Sequence, residues 1–301
     1  MLADIFRRYQ DEHSSKLRTA EANAWALSIW LDFWGTASVA DLRDIKRQER
    51  FHDFMRGKGL KASTIDRNIV IGKAAINRAW KRGELVSVPY ISTVKVGAKP
   101  PRGRPLSVDE LRALYGASVP HVKTFIRWML GTCARPEAIL ELTDVQVDRA
   151  YGLVFLNPEG REQNKKHRAT VKLPESLREE VWDGHLIRYA GQRVGSVKKA
   201  FQRGKERAKL EGAVTAYSLR HTAARWMRMQ GVDAWQIQTQ MGHRRKDLAT
   251  TEIYTAFSPE YLTDACAALD KLVRAVCVPV DGGRDRDRTC DPFGVNEVLS
   301  R

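Results

Sequence analysis

No run of roughly 18 apolar residues occurs in the 301-residue chain, because Lys, Arg, Asp or Glu interrupts every candidate, and this excludes a membrane-spanning helix. Met1 to Tyr9 lacks the apolar centre of a secretory signal. Cysteine is scarce: Cys133, Cys266, Cys277 and Cys290 stand without a CxxC or Cys/His pairing, so neither a zinc site nor a disulfide framework is expected. A reduced, cytoplasmic protein is the expectation. Acidic residues are also in short supply, 36 against 51 Lys and Arg, which leaves a formal charge of +15. Such an excess points to a polyanionic partner, nucleic acid first and an anionic membrane surface second. The hydrophobic share of 43% and charged share of 29% are ordinary for globular proteins, which excludes a wholly disordered basic tail. At roughly 100 to 200 residues per domain, the length suggests two domains.

The pattern along the chain is mainly α with a small β-hairpin or sheet. Residues 1–96 read as a helical domain. Ala22, Trp25, Ala26, Ile29 and Trp30 recur at helical spacing, and Ser63-Thr64 is expected to cap a run carrying Ile65, Ile69, Ala75, Ile76 and Ala79. Lys61, Arg67, Lys73 and Arg78 punctuate that second run, as either a phosphate-binding or a merely solvated face. Residues 97–105, rich in Pro and Gly and carrying Arg102 and Arg104, form a linker. A second domain spans 106–278. Ser107 and Glu110 make a capping box, and Val122, Phe125, Ile126, Met129 and Leu130 mark a buried helix expected to end at Gly131. Pro136 suits the first position of a helix from Glu137 to Leu142. Residues 152–156 and 169–173 read as strands around a polar turn with Asn164, Lys165 and Lys166. One helix runs from near Ser218 to Gly231, another from an Asp233 cap to Met241 with Gly242 as a left-handed stop, and the last begins near Pro259. Residues 279–301 are polar and aperiodic, and disorder is expected there.

Arg, Lys, His and Tyr concentrate at predicted element ends of the second domain. Arg135 falls at a helix N-terminus, where free N–H groups and the helix dipole favour an anion and a planar guanidinium can grip two phosphate oxygens. Tyr217-Ser218-Leu219-Arg220-His221-Thr222 places a second Arg at a helix start, Met241-Gly242-His243 puts an imidazole past a helix end, and Thr250-Thr251-Glu252-Ile253-Tyr254 follows. Taken singly, each has a bland reading: a surface ion-pair Arg, a solvated turn Lys, a capping His, a core Tyr.

In order, they resemble the signature of the tyrosine recombinase (phage integrase) family: an Arg, a hairpin Lys, a His-x-x-Arg box, a Gly-His pair and a nucleophilic Tyr. The resemblance covers residues 1 to 276, the first half being similar to the family's core-binding domain. It implies a site-specific DNA recombinase, the integrase of a prophage or mobile element, acting as a two-domain clamp on duplex DNA. Tyr254 would attack a DNA phosphate and form a covalent 3′-phosphotyrosine, releasing the 5′-hydroxyl. Arg135 and Arg220 would stabilise the transition-state charge, His243 would hydrogen-bond the same phosphate, and Lys165, or the adjacent Lys166, would protonate the leaving oxygen. No metal or other cofactor is implied. The expected partners are double-stranded attachment sites, a homotetramer in the synapse, and accessory bending or directionality proteins, in a cytoplasmic, nucleoid-associated setting. Lys61, Arg67, Lys73, Arg78, Arg102 and Arg104 are the expected DNA-binding residues.

Two departures bear on activity. Tyr217 stands where the family has His, and a phenol is a poor proton acceptor near neutral pH. The acid usually found three places after the first Arg is replaced by Ala138, leaving Glu137 or Asp144 to support Arg135. His221 reads as structural. The final helix, from about Pro259 to Val276, resembles one that docks onto a neighbouring subunit in the family, although its stripe equally suits packing in its own domain. Two alternatives stay open: a topoisomerase-like nicking-closing enzyme and a catalytically degenerate DNA-binding protein. The tail offers a hint of the target. Asp287-Arg288-Thr289 can be encoded by GATCGAACC, whose complement GGTTCGATC is similar to the T-arm of a transfer RNA gene. Pro292 to Val298 can be encoded with a short stem closing a loop that reads CAC, a valine anticodon, on the opposite strand.

Overall fold

The computed structural model describes residues 1–17, 19–97, 103–163, 166–243 and 260–277. The backbone divides into two compact units, Met1–Pro100 and Pro101 onwards. Among the described residues no helix is long and apolar enough to cross a membrane.

The first unit contains α1 (Leu2–Glu12), α2 (Ala20–Trp34), α3 (Ile45–Gly57) and α4 (Ala62–Lys81). Its core is aromatic: Trp30 meets Phe6 edge-on at 5.7 Å and Phe51 at 4.8 Å. α2 and α4 approach closely at Gly72, where a Cβ would lie 2.3 Å from the Trp30 ring, and the Trp30 indole N–H donates to the Asn68 carbonyl at 2.9 Å. Because α2 turns this face inward, Asn23, Ala26, Leu27, Ile29, Trp30 and Trp34 are its buried positions. Ala22 and Trp25, expected on the apolar stripe, are exposed. Similarly, Ser63-Thr64 do not cap α4, which begins at Ala62 with Lys61 in the N-cap position.

The second unit begins with the expected capping box, in which Ser107 and Glu110 exchange bonds at the start of α5 (Val108–Ala117). α6 (Pro120–Thr132) runs past Gly131. That glycine is a close-packing point, 2.7 Å from Leu177 Cδ1 to a hypothetical Cβ, and the helix is ended by Cys133 in the left-handed region at φ 52. α7 (Pro136–Leu140) carries Pro136 at its start and is shorter than expected.

A three-stranded antiparallel sheet follows, in the order β1 (Val147–Asp148), β2 (Leu153–Phe155) and β3 (Thr170–Lys172). Val154 faces both Val147 and Val171. The expected hairpin is its β2–β3 half, extended by backbone bonds from Leu156 to Ala169 and from Leu173 to Gly152. The short β1 was not legible, since two residues are too few for a period. After α8 (Glu175–Arg178) comes an exposed hairpin, β4 (Arg188–Tyr189) and β5 (Gln192–Arg193), then α9 (Lys198–Arg207), α10 (Ala216–Met229) and α11 (Ala234–Gln240).

The last described helix, α12 (Thr263–Cys277), buries Ala265, Ala268, Leu269, Leu272, Val273 and Val276 against α5, α6 and α10 of its own unit. Trp226 Nε1 donates to the Ala268 carbonyl at 2.8 Å, and Gln236 bonds both Asp264 and Ala265 N–H. In the single chain the apolar stripe of this helix is therefore core, the cis arrangement rather than one offered to a neighbour.

Candidate active site

Arg220 lies on the inward face of α10, one turn from its start, and is only 5% exposed. A buried guanidinium must have its donors satisfied, and two main-chain carbonyls do so. Nη1 donates to Cys133 at 2.7 Å and Nη2 to Met241 at 2.6 Å. Those carbonyls belong to the residues that terminate α6 and α11, where a helix leaves carbonyls without intrahelical donors. The left-handed backbone of Cys133 thus stops a helix beside the arginine. Its own thiol is buried and pushed up to about 11 by loss of water, which makes it an unreactive packing group.

Arg135 is the N-cap of α7 and half-buried. Its Nη1 donates to the His167 carbonyl at 2.5 Å, on the segment leading into β3. Support for this arginine therefore comes from a carbonyl rather than from the anticipated carboxylates. Asp144 is committed elsewhere, accepting from Gly184 N–H at 3.1 Å, and Glu137 is exposed and acts on Arg135 through charge alone. Among the described residues neither Arg135 nor Arg220 pairs with a carboxylate. Burial, followed by the Arg220 charge, pushes the Arg135 pKa down. The Arg220 charge thus adds to the positive field at Arg135, which an anion there would offset.

His243 follows α11, its N–H bonded to the Gln238 carbonyl at 2.9 Å. The residue as a whole is exposed, yet loss of water around the ring, and then the charges of Arg220 and Arg135, lower its pKa from the ordinary 6.5. The imidazole is consequently neutral near neutral pH. Tyr217, half-buried in the first turn of α10, sits within the field of Arg135. His221 is also held neutral, by burial and then Arg220.

The segment leading into β3 meets this group at the His167 carbonyl. Gln163 and Arg168 exchange bonds, Nε2 to carbonyl at 2.9 Å and N–H to Oε1 at 3.2 Å, pinching the loop at its base. Lys166 is exposed immediately before His167, whose carbonyl holds Arg135. Lys165 and Tyr254 lie outside the described residues, as does Arg102. Arg168 is a residue that sequence reasoning missed: it is 8% exposed and paired with Glu141 at 2.7 Å, bracing the hairpin against the end of α7. An Arg beside a turn gives no periodic signal for such burial.

The expected DNA-binding residues divide. Lys61 and Arg67 are exposed on α4, while Lys73 donates to the Ile91 carbonyl at 3.2 Å. Arg78 is half-buried in a cleft with Arg8, Glu12, Arg82 and Glu84. Arg104 departs from expectation. It holds the Glu110 carboxylate and the Pro105 and Glu211 carbonyls, a clasp within its own unit rather than an open phosphate ligand. That bond keeps the Glu110 carboxyl below its usual range.

Gly242 joins the two halves of the site. At φ +62 it occupies the left-handed region, and a Cβ there would stand 2.7 Å from the His167 oxygen, the acceptor for Arg135. Gly242→Ala should cost about 1–3 kcal/mol from overpacking, with a further ~1–2 kcal/mol from the backbone conformation. The expected outcome is a lower melting temperature together with slowed DNA cleavage, measured by thermal unfolding and single-turnover kinetics.

Arg135, Arg220, His243 and the His167 carbonyl beside Lys166 are thus brought together on a mainly helical α+β fold. Residues 104–260 match the phage integrase family, and the chain belongs to that family of tyrosine-type site-specific recombinases. Its fold is similar to lambda integrase in a dimer bound to a COC′ core site, at 17% identity and TM-score 0.64, over 81% of this chain and 95% of that one. It is likewise similar to the Tn1549 transposon integrase in complex with transposon right-end DNA, at 16% identity and TM-score 0.65, over 89% and 97%. A lambda integrase tetramer bound to a Holliday junction matches at 16% identity and TM-score 0.63, over 81% and 77%. No curated protein matches the chain.

Proposed function

We propose that the chain is the integrase of a prophage or other mobile element, cutting and rejoining duplex attachment sites through a 3′-phosphotyrosine at Tyr254. The observation that carries this reading is the gathering of Arg135, Arg220 and His243: the Cys133 and Met241 carbonyls that grip Arg220 lie two residues before Arg135 and His243, and the Arg220 charge acts on both. Tyr254 Oη would form the new bond to phosphorus as the bond to the 5′-oxygen breaks. Lys165 or Lys166 would supply the proton to that oxygen, and the arginines would hold the non-bridging oxygens. His243, neutral, would hydrogen-bond the same phosphate. Lys61 and Arg67, exposed on α4, would add phosphate contacts, giving affinity that falls steeply with salt.

The synaptic form would be a homotetramer, as in the similar lambda integrase complex on a Holliday junction. The target would be a transfer RNA gene. The codons that allow a T-arm match at Asp287 to Thr289 and a stem-loop from Pro292 to Val298 make the tail an antisense remnant of the attachment site, and the nucleotide sequence of the gene checks that directly.

The test is a nicked duplex of the attachment region, from which the released strand diffuses away. A denaturation-resistant protein–DNA adduct, with the phosphate mapped to Tyr254 by mass spectrometry, is the expected result. Binding without any adduct would instead make the chain a DNA-binding relic in which Tyr217 marks lost chemistry. Since α12 packs in its own unit, relaxation of supercoils without exchange between two duplexes would favour a nicking-closing enzyme.

A further inference from the structure

α11 ends at Gln240, immediately before the Met241 carbonyl that receives Arg220 and three residues before His243. Gln240 is 1% exposed. Its Nε2 donates at 2.8 Å to the Thr132 carbonyl, 108 residues away in sequence. Thr132 is the last residue of α6 and directly precedes Cys133, whose carbonyl receives the other Nη of Arg220; Arg135 follows two residues later. The turn is braced from within as well, since the Thr132 hydroxyl donates to the Trp128 carbonyl at 2.5 Å and accepts from Ala134 N–H at 3.3 Å. One buried amide therefore joins the two helix ends that grip Arg220.

Among the described residues the other end of that amide has no partner: Gln240 Oε1 is buried without a hydrogen bond. Reversing the amide would set oxygen against the Thr132 carbonyl oxygen, so the orientation follows from the contact. A leucine would remove that unpaired oxygen but leave the buried Thr132 carbonyl without its donor, so its two effects on stability oppose one another. What leucine lacks is a directional bond between α11 and the α6–α7 turn.

We propose that Gln240 is a positioning residue for strand cleavage, its amide setting the spacing of the Cys133 and Met241 carbonyls that aim Arg220 at the phosphate. The inference rests on the role given to Arg220 under Proposed function. It assigns to the loss of one hydrogen bond a kinetic effect larger than its effect on folding, because small misplacements of a charge-stabilising group are costly in rate.

The full chain carrying Gln240→Leu tests it, with Gln240→Met as a second apolar variant should the first fail to fold. The ¹⁵N-edited guanidinium signals of Arg220, assigned with Arg220→Lys, are expected to be sharp in the wild type and exchange-broadened in the variant. Melting temperature and DNA affinity should stay near wild type while single-turnover cleavage of the nicked duplex falls about 10- to 100-fold. In an Arg220→Lys background the same substitution should cost nothing further, the non-additivity expected of two residues acting as one unit. Unchanged Arg220 signals, or an equal loss of rate in both backgrounds, would overturn the proposal. A wild-type protein that binds but does not cleave would instead overturn the catalytic reading of the site, and the Arg220 spectrum would still decide whether Gln240 holds the clamp.

Discussion

Tyr254→Phe is expected to bind the attachment duplex with wild-type affinity and to form no denaturation-resistant adduct. Removing one oxygen removes the only atom on that side chain able to bond phosphorus, while the cationic surface that supplies most of the affinity is untouched. Two measurements on the same preparation suffice, a gel-shift titration and denaturing electrophoresis of the nicked duplex. An adduct that persists in the phenylalanine variant would assign the nucleophile elsewhere, and a parallel loss of binding would make Tyr254 a structural residue.

Arg220→Ala is expected to reduce single-turnover cleavage by about 10²–10³-fold, the range seen when one preorganised donor to a developing oxyanion is removed. Here the change reaches into the fold as well. The Cys133 and Met241 carbonyls lose their donor, at about 1–3 kcal/mol for each group left buried and unpaired. A lower melting temperature should therefore accompany the kinetic loss. Arg220→Lys separates the effects, because one ammonium can serve a carbonyl but cannot span both carbonyls and a phosphate as a planar fork does. Cleavage by the lysine variant should recover much less than its stability does. Equal recovery of both would point to a purely structural arginine.

The two predictions differ in where their evidence lies. The importance of Tyr254 is a matter of residue order; Arg220 stands on geometry. The same division runs through the rest of the chain. Capping at Ser107 and Glu110, the start of α7 at Pro136, the β2–β3 hairpin and the left-handed stop at Gly242 were legible because each is a local preference expressed within a few residues. Trp25, Gly131 and the two-residue β1 misled or escaped because their states depend on partners far along the chain. The inward face of α2 is chosen by Gly72 and Phe51, and Gly131 is small because Leu177 lies against it.

For the candidate site, order along the chain carried the set of residue types, which is chemistry written in side chains. Their support was not legible. A guanidinium held by main-chain carbonyls leaves no mark on composition, so the choice between Glu137 and Asp144 for Arg135 missed the His167 carbonyl. Nor could Arg104 be separated from Arg67 by charge, although one clasps Glu110 and the other is exposed. Residue order was sufficient for the family and the mainly helical fold class, because those follow from local propensity and the ordered set of residue types. Only folding decided which carbonyls aim Arg135 and Arg220, that α12 lies in its own core, and that Gln240 bridges two helix ends, because contacts between distant segments arise from packing complementarity and the need to pair every buried polar group.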